Sequence, residues 1–277
     1  MGRSFITPSL GMAVSVLVLI SGVAAAQWSS YPLKNIPLRA DGKPDLSAPV
    51  PRTKDGAVDL SGIWQVSGEP GPDRGSADEP RAVPKYVRNL AADLSPEEVV
   101  MQPWAAALYQ RRSAAFGKDF PGARCLPIGI PLSIATPYPF KIVQTRDLIV
   151  ILYETGNLFR QIYLDGRKPL ADAQPTWMGY SAGHWDGDKL VVESSGFNDK
   201  TWLDARGHPH SESLRLSESY SRPDIGHLYI RMTIDDPKAY KKRWTTSSIG
   251  ARLLTATDVM ESICAENEKD AQHLVDK

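Results

Sequence analysis

The chain has 277 residues, and its 32 Lys and Arg balance 32 Asp and Glu to a formal net charge of zero. A chain with no excess of positive charge lacks the electrostatic footprint of a nucleic-acid binder, so nucleic acid is not an expected partner. Two cysteines are too few for a zinc ribbon.

The chain opens with the marks of a secretory signal over residues 1–26. Arg3 supplies the positive start, Gly11 to Val23 is an apolar run too short for a comfortable membrane span, and Ala24-Ala25-Ala26 forms a small-residue cleavage site before Gln27. No second long apolar stretch follows. The expectation is a mature protein in the periplasm or outside the cell, with no integral membrane anchor after cleavage.

Residues 27–58 read as an extended arm, rich in Pro, Lys and Asp. The arm holds an echo: Asp41-Gly42-Lys43-Pro44-Asp45-Leu46-Ser47 recurs as Asp55-Gly56-Ala57-Val58-Asp59-Leu60-Ser61. Two short copies cannot build a solenoid. Residues 59–277 read as a single β-rich domain. Its first strand opens at Asp59 to Trp64, where Gly62-Ile63-Trp64 resembles the lipocalin opening, in which the Trp plugs the closed end of a barrel.

Ser95-Pro96-Glu97-Glu98 combines a capping box with Pro at the first helical position. It predicts a helix running to about Phe116 on the outside of a sheet, kinked or split by Pro103. Gly117 to Pro139 is a proline-rich connector pinned by Cys125, or a lid. From Phe140 onward the pattern is short strands separated by tight turns: Lys141 to Arg146, Leu148 to Glu154, Leu158 to Leu164, Met178 to Trp185, Lys189 to Ser194, Leu214 to Tyr220, His227 to Ile234 and Arg243 to Ser248. Asp186-Gly187-Asp188 is the clearest hairpin signal, since Asp-Gly favours a tight turn with positive φ. Many short strands at this spacing predict an all-β domain, an antiparallel barrel or strongly bent sandwich of lipocalin-like form, with one long external helix. Asp258 to Leu274 is expected to be helical at its end.

In an oxidising compartment Cys125 and Cys264 are expected to pair. The chain-entropy account assigns the closure of so long a loop roughly 5 kcal/mol.

Two groups of polar residues can carry chemistry. Asp204, His208 and His210 lie within seven residues of a Gly/Pro loop. Asp204 is placed to orient His210 as a general acid or base. The same three can approach a divalent metal, but no HExxH-type spacing supports one, and a polar surface loop, with Asp204 and Ser211 in capping roles, is the first reading of them, ahead of the acid/base dyad and then the metal. On the strands, alternation puts Glu218 on the face of Leu214, Leu216 and Tyr220, Glu154 with Leu148 and Val150, and Glu193 with Val191. A carboxylate on an apolar face is costly unless it is paired or neutral, and Arg160 and Arg231 are the candidate partners. Trp177, Trp185 and Trp202, with Trp64, Tyr138 and Trp244, are candidates to line a ligand cavity. No phosphate loop, dinucleotide fingerprint or nucleophile elbow occurs, so no cofactor is expected.

The run from Gly183 to Leu214, GHWDGDKLVVESSGFNDKTWLDARGHPHSESL, resembles a widespread group of exported bacterial proteins. The likeness spans about residues 59–268. It takes in Cys125-Leu126-Pro127, Phe140-Lys141-Ile142-Val143-Gln144, Thr233-Ile234-Asp235-Asp236-Pro237 and Cys264-Ala265-Glu266-Asn267. It implies an exported β-rich domain with a lipocalin-like look and brings no reaction with it. The chain departs from the group's pattern at Arg215, often His there, and at Ser219, often Arg.

Two functions follow as expectations. The first is a cofactor-independent enzyme, an isomerase, lyase or hydrolase acting on a small, partly apolar molecule, with His210, Asp204 and Glu218 as its acid/base set. The second is a lipocalin-like binding protein, with Trp177, Trp185, Trp202, Glu193, Arg160 and Arg231 around the ligand.

Overall fold

Ten strands are bounded by the turn residues that the sequence makes visible. A computed structural model describes residues 33, 36–70, 89–91, 94–115, 117–168, 173–264 and 266. The signal segment 1–26 and most of the expected C-terminal helix lie outside the described residues. The strands are β1 Gly62–Pro70, β2 Phe140–Gln144, β3 Leu148–Tyr153, β4 Leu158–Tyr163, β5 Tyr180–Asp186, β6 Lys189–Ser195, β7 Arg215–Ser221, β8 His227–Asp235, β9 Trp244–Thr245 and β10 Ile249–Leu253.

They form a barrel. Each strand from β1 to β8 pairs with the next, and β10 pairs with both β8 and β1, which closes a ring of nine. The long β8 is shared: its first half, His227 to Ile230, faces β10, while Thr233 and Ile234 face the short β9. Pairing is antiparallel throughout except between β4 and β5. Those two run parallel and meet only at Ile162–Ser181 and Tyr163–Ala182. Closure of the ring removes its free edges, the means by which a barrel avoids edge-to-edge pairing; the short β9 lies outside the ring, paired among the described strands only with β8.

Alternation along the strands fills the interior. In β8 the residues Leu228, Ile230, Met232 and Ile234 are all buried while their neighbours are not. Ile149, Ile151, Ile162, Leu190, Val192 and Leu216 complete the wall. Trp64 is fully buried, and its indole N–H donates to the carbonyl of Leu60 at 3.0 Å. Arg222 lies over its ring at 4.8 Å and donates to the carbonyls of Asp59, Ser61, Asp224 and Ile225. A Cβ at Gly62 would lie 2.6 Å from Leu253, so the first residue of the Gly-x-Trp motif is small because β10 passes against it.

The arm's two echoing segments fold alike. In the first, Leu38 bridges Pro44; in the second, fourteen residues on, Arg52 bridges Val58. Arg39 N–H donates to the Lys43 carbonyl as Thr53 does to Ala57, and Asp45 N–H to Pro37 as Asp59 does to Pro51. Each copy turns on a left-handed glycine, Gly42 or Gly56. The first copy braces the β7–β8 turn through Ala48 and Leu46, and the second delivers Leu60 beneath Trp64.

The helical expectation is corrected. Half of the capping box forms, with Ser95 N–H donating to the Glu98 carboxylate at 2.7 Å while the Glu98 N–H donates to the Ser95 carbonyl, and it supports only a turn. The helix itself, α1, is Pro103–Ala114. Pro103 begins this helix instead of kinking one, since a missing N–H costs nothing in the first turn. Residues 258–264 contain no helix. Among the described residues no helix is long and apolar enough to cross a membrane.

Candidate functional site

The chain leaving β6 makes one compact loop, residues 198–211, beneath α1. Asp204 organises it. One carboxylate oxygen accepts the backbone N–H of Arg206 at 3.0 Å, and the other lies 2.7 Å from Nδ1 of His208. A carboxylate only accepts, so His208 carries its proton on Nδ1 and leaves Nε2 as the free position. Tyr109 of α1 stacks on the His208 ring at 4.5 Å. Gly207 takes φ +92°, and a Cβ there would meet Arg112 of α1 at 2.8 Å.

His210 belongs to a separate arrangement. Its Nε2 lies 2.6 Å from the Thr201 hydroxyl, and its Nδ1 lies 3.1 Å from the Ser211 carbonyl. The carbonyl fixes the ring proton on Nδ1, so Thr201 donates to Nε2. Burial lowers the His210 pKa below its usual value and keeps the imidazole neutral; the Ser211 carbonyl and the nearby Asp236 oppose this less strongly. Ser211 is held in turn by Asp236, which accepts its N–H at 2.6 Å and its hydroxyl at 2.8 Å.

Glu218 points into the barrel and is paired there. Arg160 reaches both carboxylate oxygens and also donates to Ser181 at 3.0 Å and Ser194 at 2.8 Å. Tyr220 adds a further donor to Glu218 at 2.8 Å. The nearby Tyr153 hydroxyl has no hydrogen-bond partner among the described residues, and burial pushes its pKa above the usual tyrosine value.

These positions correct several expectations. Asp204 orients His208, not His210, because the turn at 204–207 brings the nearer histidine back onto the carboxylate. Glu193 and Arg231 face outward and are exposed; Glu193 accepts from Ser217 at 2.7 Å. Glu154 lies just beyond β3, where its carboxylate accepts the N–H of Met260 at 3.0 Å. Among the described residues no group of three His, Cys, Asp or Glu side chains is placed to hold a metal ion.

Cys125 and Cys264 form a disulfide, joining the connector 117–139 to the C-terminal segment across 139 residues. That segment is fastened along its length. Lys141 bonds Asp258 at 2.9 Å, and Ser262 N–H donates to the side-chain oxygen of Asn157 at 2.9 Å.

Connector and segment together shape two adjoining clefts. The larger, of 450 Å³, is lined by Phe120, Ile128, Leu132, Thr136, Tyr138 and Trp202, among others. The smaller, of 240 Å³, has the disulfide, Leu126, Leu158 and Ser262 in its wall. Gly122, Ile128, Tyr138 and Thr155 border both. Of the three tryptophans expected at a ligand, Trp202 lines the larger cleft. It is packed edge-on by Phe120 at 5.2 Å and backed by Arg112 at 4.7 Å. Trp177 and Trp185 are half-buried and line neither of these clefts. Phe120, Ile128, Leu132 and Thr155 were not singled out from the sequence. The signal for Phe120, Ile128 and Leu132 was the density of prolines around Cys125, which marks a connector with a fixed shape; Thr155, in the turn after β3, had none.

No family model, curated protein or solved structure matches this chain.

Proposed function

We propose that this chain is an exported, lipocalin-like protein that binds a small molecule, and that it belongs to the exported bacterial group its motifs resemble. The observation that carries the binding reading is the 450 Å³ cleft. Its volume lies in the range of small-molecule sites, and such sites are concave and mostly apolar. Support for the lipocalin-like assignment comes from the closed barrel, the Gly-x-Trp opening strand and the plug of Trp64 under Arg222. The signal-like residues 1–26 motivate export to the periplasm or beyond. The ionisable groups first considered for chemistry are engaged internally: His210 with Thr201, Glu218 with Arg160. Native mass spectrometry of protein recovered from the exporting cell tests the reading. A co-purified molecule that is lost from the Ala205→Trp variant, whose new side chain fills the larger cleft from its exposed rim, is the expected result. A ligand-free spectrum from freshly isolated protein, with no uptake of added small molecules, sinks it.

One observation favours an acid/base reading as well. Asp204 and His208 form an oriented dyad, the arrangement that general acid/base catalysis uses. An enzyme would lose orders of magnitude in turnover in the His208→Ala variant while still binding, whereas a binding protein would show only a modest change in affinity.

A further inference from the structure

We infer that the ligand of the paired clefts is a neutral aromatic molecule carrying a single hydroxyl; this rests on the binding reading above. The lining is the first argument. Among the described residues that border either cleft, none carries a carboxylate, an amine, a guanidinium or an imidazole. A charged group taken into such a site would lose its hydration with no partner to replace it, which is prohibitive unless the group neutralises. Arg112 backs Trp202 from outside the lining, stacked on that ring and donating to the Gly207 carbonyl at 3.2 Å.

The rings supply the second argument. Phe120, Tyr138 and Trp202 border one volume, and aromatic edges and faces select an aromatic guest through offset or edge-to-face contacts. Tyr138 is 52% exposed, a large ring left uncovered beside buried Ile128 and Leu132. A peptide is a poor occupant, because its backbone N–H and C=O groups would go unpaired against this lining.

The third argument is a hydroxyl. Thr155 borders both clefts, and its Oγ1 is shut off from solvent with no hydrogen-bond partner among the described residues. Leaving a buried hydroxyl unpaired is costly. A ligand in the shared volume that carries one hydroxyl would supply the partner this group lacks. Thr136, the other threonine of the lining, already donates to the Ser133 carbonyl at 3.0 Å.

Calorimetric titration of the oxidised full-length protein with naphthol, naphthalene and naphthoate at neutral pH tests this. Naphthol is expected to bind best, naphthoate at least about tenfold more weakly, and Thr155→Val is expected to remove the preference for naphthol over naphthalene. Ala205→Trp is expected to abolish naphthol binding, and its unchanged melting temperature would show that the fold survives. Naphthoate binding as tightly as naphthol overturns the neutral-ligand inference and leaves the binding reading standing. Naphthol binding unchanged in Ala205→Trp overturns the site. Failure of all three probes to bind overturns the inference, while the co-purification experiment still decides the reading beneath it.

Discussion

Arg160 of β4 and Glu218 of β7 meet inside the barrel in a two-pronged ion pair, 58 residues apart in the chain. Both side chains are sealed from solvent. Burial alone would lower the arginine's pKa, but the adjacent carboxylate more than reverses this and holds it above the usual value. Every N–H of the guanidinium has an acceptor: Ser181, Ser194, Tyr220 and the two oxygens of Glu218.

Removing one partner of that pair should be costly. Glu218→Met or Arg160→Met each leaves an uncompensated buried charge, with an expected loss of about 3–5 kcal/mol. The double substitution should lose less than the sum of the two, because no charge is stranded. Urea unfolding of the three variants against the parent measures both quantities, and additive losses would contradict the pairing.

His210 should make stability depend on pH. Its folded pKa lies below the ordinary value of 6.5. Above pH 6.5 neither state binds the proton and nothing is lost. As pH falls below 6.5 the unfolded chain takes up a proton that the folded state resists, so stability declines toward the depressed folded pKa. The difference between the parent and His210→Gln should therefore shrink as pH drops from 7 through 6.5 and below. A constant difference across that window would contradict a buried neutral imidazole.

Disulfide removal should act on the fold and the cleft together. Cys264→Ser is expected to cost roughly 5 kcal/mol on the chain-entropy account of so long a loop, read as a fall in melting temperature. It also frees the wall of the smaller cleft, so ligand affinity should fall. Reductant should lower the melting temperature of the parent and leave Cys125→Ser/Cys264→Ser unmoved.

The outward pair gives a control. Glu193→Gln and Arg231→Gln sit on the exposed face of the barrel and should change stability by less than about 0.5 kcal/mol each. A larger effect on either, by thermal melting, would place these side chains in a network that the structure does not show.

The strands were legible because each carries its own punctuation. Gly187 takes the left-handed φ that the Asp-Gly signal demands, and Leu216, Glu218 and Tyr220 share the buried face that alternation assigns them. Glu193 was misplaced because Leu190, Val191 and Val192 are three apolar residues in a row, which leaves the parity of the strand open. Burial of Leu190 and Val192 then sends Glu193 outward. Strand β10 escaped notice because Gly250 and Ala251 weaken its pattern. Its pairing with β1 links residues nearly two hundred positions apart, which no local window encodes. The parallel contact of β4 and β5 is likewise a property of the closed ring. At the site, the sequence marked Asp204 and the histidines but paired Asp204 with His210, whereas it holds His208. That choice is made by a single turn, through Gly207, which carries His208 back onto the carboxylate.

The meeting of β1 and β10 has a consequence for how the chain could be rewired. Trp64 lies opposite Leu253, so the polypeptide enters the ring and leaves it side by side. Seen this way the ring has no obligatory first strand: the order of synthesis is one cut among several that the same circle admits. Fresh ends opened at Asp186-Gly187-Asp188 would fall in a tight exposed turn, whose side chain at Asp188 is held by the solvent-facing Arg52. Exposed turns of this kind are where circular permutation succeeds. A linker that joins the arm to the C-terminal segment beyond Cys264 would then close the circle, and the Cys125–Cys264 bridge would span a different stretch of chain.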